Sequence, residues 1–500
     1  MKILALSLDT YGDQVLRQPL LSALLDDGHR VTLAIRREYA GIVPFLDTRL
    51  ETLACDVAPD TFEADPAVAL AANAALVERM KQAGADAVIA LPFNRTALDD
   101  AILIACAGVL RFALVDDVHA LQIESNGIES ASTDHVDVAA ASVEHPVRVA
   151  EASKECEKNV AMFRAVAGKS SDLPAPRLHL PLADGGHSRR LAASLGLEPA
   201  QFAVMAALSP PSLKAMPTDL AVDTIVWLQS EHKLRTLLAG VEKERPHIEA
   251  LCELAARRGA KPVVYIGDNA RLGDLLELVQ DSRAYVGADT GTMHFAAALG
   301  LPVAALFGGG HFPRFQPQAA QWFATTKRLL CFGCDWKCIY DSRRCIHEVD
   351  RETWFAGISR LLAGESPGWI FANGSIDSAT AATAGAEFRT VVRMLGAVEH
   401  DRARRLDVIG KLDAERGLLA RTAEERLEIV NKLNAENQVL DLAARQRLEG
   451  INRLTAIRED QQRQIETLQE TSRELQTAKG ALRAFRRAVA RKFGRARSGL

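Results

Sequence analysis

Short apolar runs alternate with amphipathic, helix-like stretches along the first part of the chain. The runs are rich in Val, Ile, Leu and Ala, and the stretches between them carry apolar residues at helical spacing. This alternation is typical of a doubly wound α/β fold, in which helices cover both faces of a parallel sheet. The runs are KILALSL (2–8), RVTLAIR (30–36), ADAVIALPF (85–93) and RFALVDD (111–117).

A second series of apolar runs repeats the same pattern after residue 200. Two consecutive Rossmann-like domains are therefore predicted, one over residues 1–185 and one over residues 200–364. Ligands of such sheets bind outside the carboxyl ends of the strands, here in the cleft between the two domains. The second series consists of FAVMAAL (202–208), RTLLAG (235–240), PVVYIG (262–267), RAYVGAD (283–289) and PVAALFG (302–308).

The pattern changes after Gly364. Residues 365–390 are rich in Ser, Ala, Thr and Gly, which predicts a linker. Residues 391–500 predict a long α-helical coiled-coil tail that joins copies of the chain into a homo-oligomer; a single solvated helix folded back on the globular part is the alternative. The predicted seam contains Leu433, Leu440, Leu454, Ile457, Gln461, Gln464, Leu468, Thr471, Leu475, Ala478, Leu482 and Phe485.

Charge is distributed unevenly along the chain. The formal net charge is −4, but residues 479–500 contain eight Lys or Arg and no acid, which leaves −12 for residues 1–478. Leu482, Phe485, Val489 and Phe493 form an apolar stripe among these basic residues, a pattern that suits contact with an anionic membrane. A solvated helix end is the alternative. Nucleic acid is not predicted as a partner, because patterned aromatics that stack bases are missing.

The compartment is predicted from the apolar stretches. The first run is interrupted by Asp9 too early for a signal peptide, and the longer apolar stretches are too short for a membrane span or contain Gly and Pro. The expected location is cytoplasmic, with peripheral contact at the inner face of the membrane if the tail binds lipid. Cysteines are expected to be reduced there.

Small polar residues follow the run RAYVG at a predicted strand-to-helix junction. Thr290, Gly291 and Thr292 offer backbone N–H groups at a helix start, where the helix dipole favours phosphate or diphosphate. His294 in the first turn can add a donor. The alternative is that Asp289 or Thr290 only caps the helix.

The sequence DTGTMHFAAALGLPVAALFG (289–308) closely resembles the signature of glycosyltransferase family 9, the bacterial ADP-heptose:lipopolysaccharide heptosyltransferases. The resemblance covers roughly residues 1–362. It implies a GT-B fold, two Rossmann-like domains that face each other across a cleft. It also implies an ADP-heptose donor, with Asp289 and His294 orienting it, and no cofactor for the chemistry.

Three further positions carry the resemblance. Tyr11-Gly12-Asp13 matches the family's Gly-Asp motif, which implies that Asp13 is the general base; a helix cap is the alternative. The segment SPPSLKAMP (209–217) matches a phosphate-binding loop, which implies roles for Ser209 and Lys214, although Pro210 and Met216 depart from the family pattern. Glu242 matches a residue that binds the ribose hydroxyls, with Glu244 close enough to take that role instead.

Four cysteines lie close together in sequence. Cys331, Cys334, Cys338 and Cys345 could enclose a structural zinc or iron ion in a tetrahedral site. Their spacing differs from the usual pattern of two separated Cys-x2-Cys pairs, so free thiols packed at the domain edge are the alternative.

These features predict an inverting glycosyltransferase. It would transfer a heptose or similar sugar from ADP to a hydroxyl of lipopolysaccharide core, a lipid-linked acceptor or a related glycan. One alternative is a transferase that acts on a protein or a surface polysaccharide. Another is a non-catalytic GT-B scaffold carried on a coiled coil, which the departures at Pro210 and Met216 favour.

Overall fold

The chain packs as two compact units, Met1–Arg393 and Met394–Leu500. Both β-sheets lie in the first unit, and the second contains a long helix. The computed structural model describes residues 1–58, 61, 66–92, 95–115, 143–150, 153–180, 187–208, 212–267, 272–329, 331–334, 336, 338, 340, 342–372, 405–406 and 423–475.

A six-stranded parallel sheet forms the N-terminal half of the first unit. Its strand order is β3-β2-β1-β4-β5-β6, so the first strand lies near the centre and the chain winds outward in both directions. The strands are β1 (Lys2–Ser7), β2 (Arg30–Arg36), β3 (Glu51–Cys55), β4 (Ala87–Ala90), β5 (Leu110–Val115) and β6 (His145–Arg148).

A seven-stranded parallel sheet forms the C-terminal half. Its order is β13-β12-β11-β10-β7-β8-β9, so β7 and β10 are neighbours at its centre. The strands are β7 (Phe202–Met205), β8 (Arg235–Val241), β9 (Val263–Gly267), β10 (Ala284–Ala288), β11 (Val303–Leu306), β12 (Trp322–Lys327) and β13 (Gly368–Ala372).

Helices cover both faces of each sheet. The N-terminal half contains α1 (Tyr11–Asp26), α2 (Val43–Leu46), α3 (Pro66–Ala72), α4 (Ala74–Lys81), α5 (Ala97–Ala105) and α6 (Glu155–Ala167). The C-terminal half contains α7 (His187–Ser194), α8 (Thr218–His232), α9 (Arg245–Arg257), α10 (Leu272–Asp281), α11 (Gly291–Ala298), α12 (Arg344–His347) and α13 (Arg351–Leu362). Short 3-10 turns span Arg37–Ile42 and Glu242–Glu244, and α14 (Ala423–Leu475) is the long helix of the second unit.

Strand β1 is apolar at successive positions because both of its faces are buried. Ile3 and Ala5 face one buried cluster, and Leu4 and Leu6 face another on the opposite side of the sheet. Because helices cover both faces, alternate positions are equally buried and no polar face remains. This arrangement confirms the predicted doubly wound α/β fold.

The two halves meet where α1 packs against α11. Each of these helices begins just after the carboxyl end of a central strand, β1 in one half and β10 in the other. The backbone N–H of Leu178, on the segment that leads out of the N-terminal half, donates to the carbonyl of Ala298 at 3.1 Å. The carboxyl ends of the two sheets therefore share one interface.

The predicted linker, 365–390, begins with ordered structure. Gly368–Ala372 is the edge strand β13, because Trp369, Ile370 and Phe371 favour extended backbone and pair in parallel with β12. Residues 373–390 and the basic end of the tail lie outside the described residues. Within the described chain, no helix has both the length and the apolar content needed to cross a membrane.

Candidate active site

The turn between β10 and α11 is held in shape by Tyr285. Its hydroxyl donates to the carbonyl of Ala288 at 2.6 Å and lies 3.1 Å from the hydroxyl of Thr290. Because this side chain folds over the strand end, a Cβ atom on Gly287 would come within 2.8 Å of the Tyr285 hydroxyl. The turn therefore requires glycine at position 287.

Thr290 is the N-cap of α11. Its hydroxyl accepts a hydrogen bond from the backbone N–H of Met293 at 3.3 Å, so Thr290 caps the helix as the sequence allowed. The N–H groups of Gly291 and Thr292 remain at the positive end of the helix dipole, where they can bind an anion. Capping and anion binding are compatible here.

Lys214 reaches this helix start from the loop between β7 and α8. Its ammonium forms an ion pair with Asp289 at 2.7 Å, and the carboxylate of Asp289 is almost fully buried. The lysine side chain is 29% exposed, and its ammonium stands 5.3 Å from the centre of the Phe315 ring. Asp289 thus fixes a partly accessible cation beside the amino end of α11.

His294 is buried between the two halves. Its side chain is 4% exposed, and its Nδ1 atom has no hydrogen-bond partner among the described residues. Burial lowers the pKa of His294, although the charge of Asp289 opposes this shift. A neutral imidazole with an unpartnered nitrogen is therefore available at the helix start.

Asp13 lies on the opposite side of the same interface. Its carboxylate accepts from the backbone N–H of Thr10 at 3.3 Å and from the Thr10 hydroxyl at 2.9 Å, which caps α1. The side chain remains half-exposed. A Cβ atom on the preceding Gly12 would lie 3.0 Å from Cδ2 of His294, so the Gly-Asp motif touches α11 directly.

Residues 101–334 match the family model described as Glycosyltransferase family 9 (heptosyltransferase). This chain contains a glycosyltransferase family 9 domain. The protein is therefore a glycosyltransferase. No curated protein matches the chain.

The solved structures that resemble this chain are distant in sequence. The E. coli ADP-heptose LPS heptosyltransferase II is 14% identical with a TM-score of 0.50, and the match covers 73% of this chain and 99% of that one. This likeness confirms the predicted GT-B fold. E. coli WaaC solved with ADP-2-deoxy-2-fluoro heptose is 16% identical over 67% of this chain and 95% of that one, with a TM-score of 0.46. A family 9 transferase from Veillonella parvula is 14% identical over 73% and 97%, with a TM-score of 0.49.

Two acidic residues follow strand β8 of the family 9 domain. Glu242 is 74% exposed and forms a bidentate ion pair with Arg245, with both distances 2.8 Å. Glu244 instead accepts from the backbone N–H of Val241 at 3.2 Å, and one of its oxygens would lie 2.8 Å from a Cβ on Gly240. Glu244 therefore stands closer to the strand end than Glu242 does. Ser209 lies outside the described residues.

The four-cysteine segment packs beside the loop that carries Lys214. Cys331, Cys334 and Cys345 are buried and Cys338 is exposed, and the four line one pocket. Within the described residues, no group of three or more His, Cys, Asp or Glu side chains is placed to hold a metal ion, so the predicted metal site is not supported. Burial raises the pKa of Cys345 and of Cys338, which favours thiols over the thiolates that bind metals.

This segment packs instead against neighbouring loops of the C-terminal half. The Trp336 ring covers Gly308 and Gly310, where a Cβ on either glycine would collide with it. Its indole N–H donates to His311 at 3.3 Å. The guanidinium of Arg343 donates to the carbonyl of Ser212 at 2.7 Å, which ties the segment to the Lys214 loop.

Asp9 and Arg17 also lie at this site, although the sequence did not predict a role for either residue. Arg17 is 2% exposed and binds the Ser7 hydroxyl and the Asp9 carboxylate at the carboxyl end of β1. Burial lowers the pKa of Arg17, but the charges of Asp9 and Asp13 outweigh it and raise the pKa overall. The available signal was an arginine one turn after Asp13 on an otherwise apolar helix face.

Proposed function

We propose that this glycosyltransferase transfers a heptose, or a closely similar sugar, from an ADP-linked donor to a hydroxyl group of a glycan such as lipopolysaccharide core. One observation carries the proposal. Lys214 and the amino end of α11 stand at neighbouring strand ends in the C-terminal half, and Gly12, which precedes Asp13 in the N-terminal half, packs against the first turn of α11. The family description, which names heptosyltransferases, supports the choice of sugar.

The donor diphosphate would lie between Lys214 and the first turn of α11. The ammonium and the N–H groups of Thr290, Gly291 and Thr292 supply the positive potential that the departing diphosphate needs. Asp289 holds the lysine, and the unpartnered Nδ1 of His294 can hydrogen-bond the donor. Glu242, or Glu244 at the strand end, would accept hydrogen bonds from the ribose hydroxyls.

Transfer would proceed by a single displacement. The acceptor oxygen attacks the anomeric carbon of the sugar, and the bond from that carbon to the phosphate oxygen breaks. The electron pair of the broken bond leaves with ADP, next to Lys214. Asp13 takes the proton of the acceptor hydroxyl. Because attack and departure occur on opposite faces, the anomeric configuration inverts.

A second acceptor class is favoured by charge. The segment that leaves the carboxyl end of β5 carries seven acidic residues and no Lys or Arg between positions 116 and 144. Such a composition disfavours phosphorylated acceptors and suits neutral or basic ones. A protein hydroxyl or an uncharged surface polysaccharide is therefore the second candidate. The seven are Asp116, Asp117, Glu124, Glu129, Asp134, Asp137 and Glu144.

Calorimetric titration tests the donor proposal. ADP and ADP-heptose should both bind, UDP-linked sugars should bind more weakly, and adenosine should bind weakest because it lacks phosphates. If neither ADP nor ADP-heptose bound, the non-catalytic scaffold would be the better explanation.

Mass spectrometry of a strain that lacks the gene tests the acceptor. A truncated lipopolysaccharide would support the first acceptor class. A missing heptose on a protein or on a surface polysaccharide would support the second.

The tail has its own proposal. We propose that α14 joins copies of the chain, because Leu454 and Ile457 of the predicted seam are 57% and 53% exposed. Membrane contact by residues 479–497 also stays a prediction, since they lie outside the described residues.

A further inference from the structure

Glu155 and Arg314 connect the N-terminal and C-terminal halves of the first unit. Glu155 is the first residue of α6 in the N-terminal half, and Arg314 lies between β11 and β12 in the C-terminal half. The guanidinium Nε of Arg314 donates to the Glu155 carboxylate, and the backbone N–H of Glu155 donates to the Arg314 carbonyl at 3.2 Å. The side chains are only 5% and 10% exposed. The pair, here called the latch, is thus joined by two hydrogen bonds and is largely shielded from solvent.

The latch contains a charged carboxylate. The ammonium of Lys158, which is almost fully buried, lies 3.1 Å from the same Glu155 oxygen. Burial raises the pKa of Glu155, but the charges of Arg314 and Lys158 outweigh it and hold the pKa below its ordinary value. The Glu155 carboxylate is therefore ionised across the neutral pH range.

On the donor side, the latch connects to Lys214 through one aromatic ring. The Arg314 guanidinium stands 4.7 Å from the centre of the Phe315 ring, and the Lys214 ammonium stands 5.3 Å from the same centre. Two cations thus share Phe315. A shift of Arg314 would move the ring against which Lys214 rests.

On the acceptor side, the latch connects to α1. The Asn159 side chain, one turn after Glu155, donates to the carbonyl of Leu16 at 2.7 Å. The negative charge of Glu155 also acts on the buried guanidinium of Arg17, which binds Asp9. The latch therefore lies between Lys214 and the helix that carries Asp13.

We propose that Glu155 and Arg314 are positioning residues, whose ion pair sets the separation across the cleft between Asp13 and Lys214 for the transfer step. Stability alone is a poor reason for such a pair, because buried ion pairs often contribute no more than apolar residues of similar size. A fixed distance between Asp13 and Lys214 is a better reason for the pair, because a misplacement of about 1 Å can lower the reaction rate by roughly 100-fold. This inference rests on the proposed function.

If the latch positions the two halves, its loss should affect donor binding and sugar transfer differently. The groups proposed to hold the donor diphosphate, Lys214 and the amino end of α11, all belong to the C-terminal half. Breaking the latch should therefore leave donor affinity within about 3-fold of wild type and lower kcat by about 10- to 100-fold. Hydrolysis of the donor by water should rise relative to transfer, because water needs no aligned acceptor.

The test compares Glu155→Gln, Arg314→Met and the double variant. Arg314→Lys keeps the charge and should recover part of kcat. The double variant should lose no more kcat than the worse single variant, since both changes remove one interaction. Arg314→Lys and Arg314→Met keep the test decisive if Glu155→Gln fails to fold.

Glu348→Gln is the matched control. Glu348 also accepts from two cations, Lys327 and Arg344, but all three lie in the C-terminal half. It should retain wild-type kcat. Wild-type kcat in Arg314→Met would contradict the positioning role of the latch, as would an equal loss of kcat and donor affinity. Either result would leave the proposed function intact. If the wild-type protein neither bound nor transferred any nucleotide sugar, the proposed function would fail and the role of the latch with it.

Discussion

Gly12 of α1 lies directly against the imidazole of His294 on α11, so the motif of one half touches the motif of the other. A Cβ atom on Gly12 would come within 3.0 Å of His294 Cδ2, and the buried ring has little room to retreat. The glycine is therefore required by the contact between the halves. The backbone at this position is helical and does not itself require glycine.

Gly12→Ala should push α1 and α11 apart. We expect kcat/KM for transfer to fall by about 10-fold or more, with a stability loss of about 1–3 kcal/mol from overpacking. Steady-state kinetics and urea unfolding measure the two effects. Gly450→Ala is the control, because a Cβ there meets nothing within 4 Å and should leave activity unchanged. Wild-type kinetics for Gly12→Ala would contradict the close contact.

Asp13 caps α1 and is also the proposed base, and two variants separate these roles. Asp13→Asn removes the base and should lower kcat by about 100- to 10,000-fold without weakening donor binding. Thr10→Val removes only the hydroxyl that the carboxylate binds, so it should cost about 1 kcal/mol of stability and spare most of kcat. Equal kinetic losses in both variants would mean that Asp13 acts as a cap alone.

Lys214→Ala should weaken the binding of ligands that carry phosphates and leave the binding of ligands without phosphates unchanged. We expect affinity for ADP to fall by about 10- to 100-fold, as for the loss of one charge-assisted contact, while adenosine binding stays the same. Calorimetry on both ligands checks this. Lys261, an exposed lysine at the end of a helix-to-strand loop, provides the control substitution Lys261→Ala. An equal loss for adenosine would place Lys214 away from the diphosphate.

Asp99 should make stability depend on pH in a defined direction. Burial raises its pKa to about 6, and its Oδ1 atom has no partner among the described residues. Since this pKa lies above the value of the unfolded chain, the folded state binds more protons between about pH 4 and pH 6. The stabilisation is present below that window and is lost as the pH rises through 6.

Asp99→Asn removes this titration. Between pH 4 and pH 7.5 the wild-type protein should therefore lose up to about 3 kcal/mol of unfolding free energy relative to the variant. Urea unfolding at several pH values measures the difference. A difference that stays constant with pH would mean that Asp99 ionises normally in the folded protein.

Two exposed apolar residues of α14, Leu454 and Ile457, test the oligomer prediction. Leu454→Asp with Ile457→Asp should convert the oligomer to monomers, because a charge in a coiled-coil seam must be buried without a partner. Light scattering after gel filtration reports the mass. Asn452→Asp, which lies off the predicted seam, is the control. A wild-type protein that is already monomeric would favour the solvated-helix alternative.

The sequence by itself determined the two sheets and some local features at the strand ends. Runs such as KILALSL are apolar at every position because helices cover both faces of a parallel sheet, and this pattern is local enough to read directly. Gly287 and Thr290 were also readable, since a tight turn and an N-cap are properties of adjacent residues. Strand β13 was missed because Ser, Ala and Thr dominate the residues that follow it.

Only the tertiary structure decided which distant groups meet. The residues next to Glu155 and Arg314 in sequence do not predict that these two side chains pair, because 159 positions separate them. Glu242 and Glu244 are two residues apart, yet the fold turns one carboxylate outward to Arg245 and the other back to the end of β8. For Glu155 and Arg314 the physical reason is burial: a buried charged side chain is placed by the partner that offsets its burial, and this partner comes from a distant part of the chain.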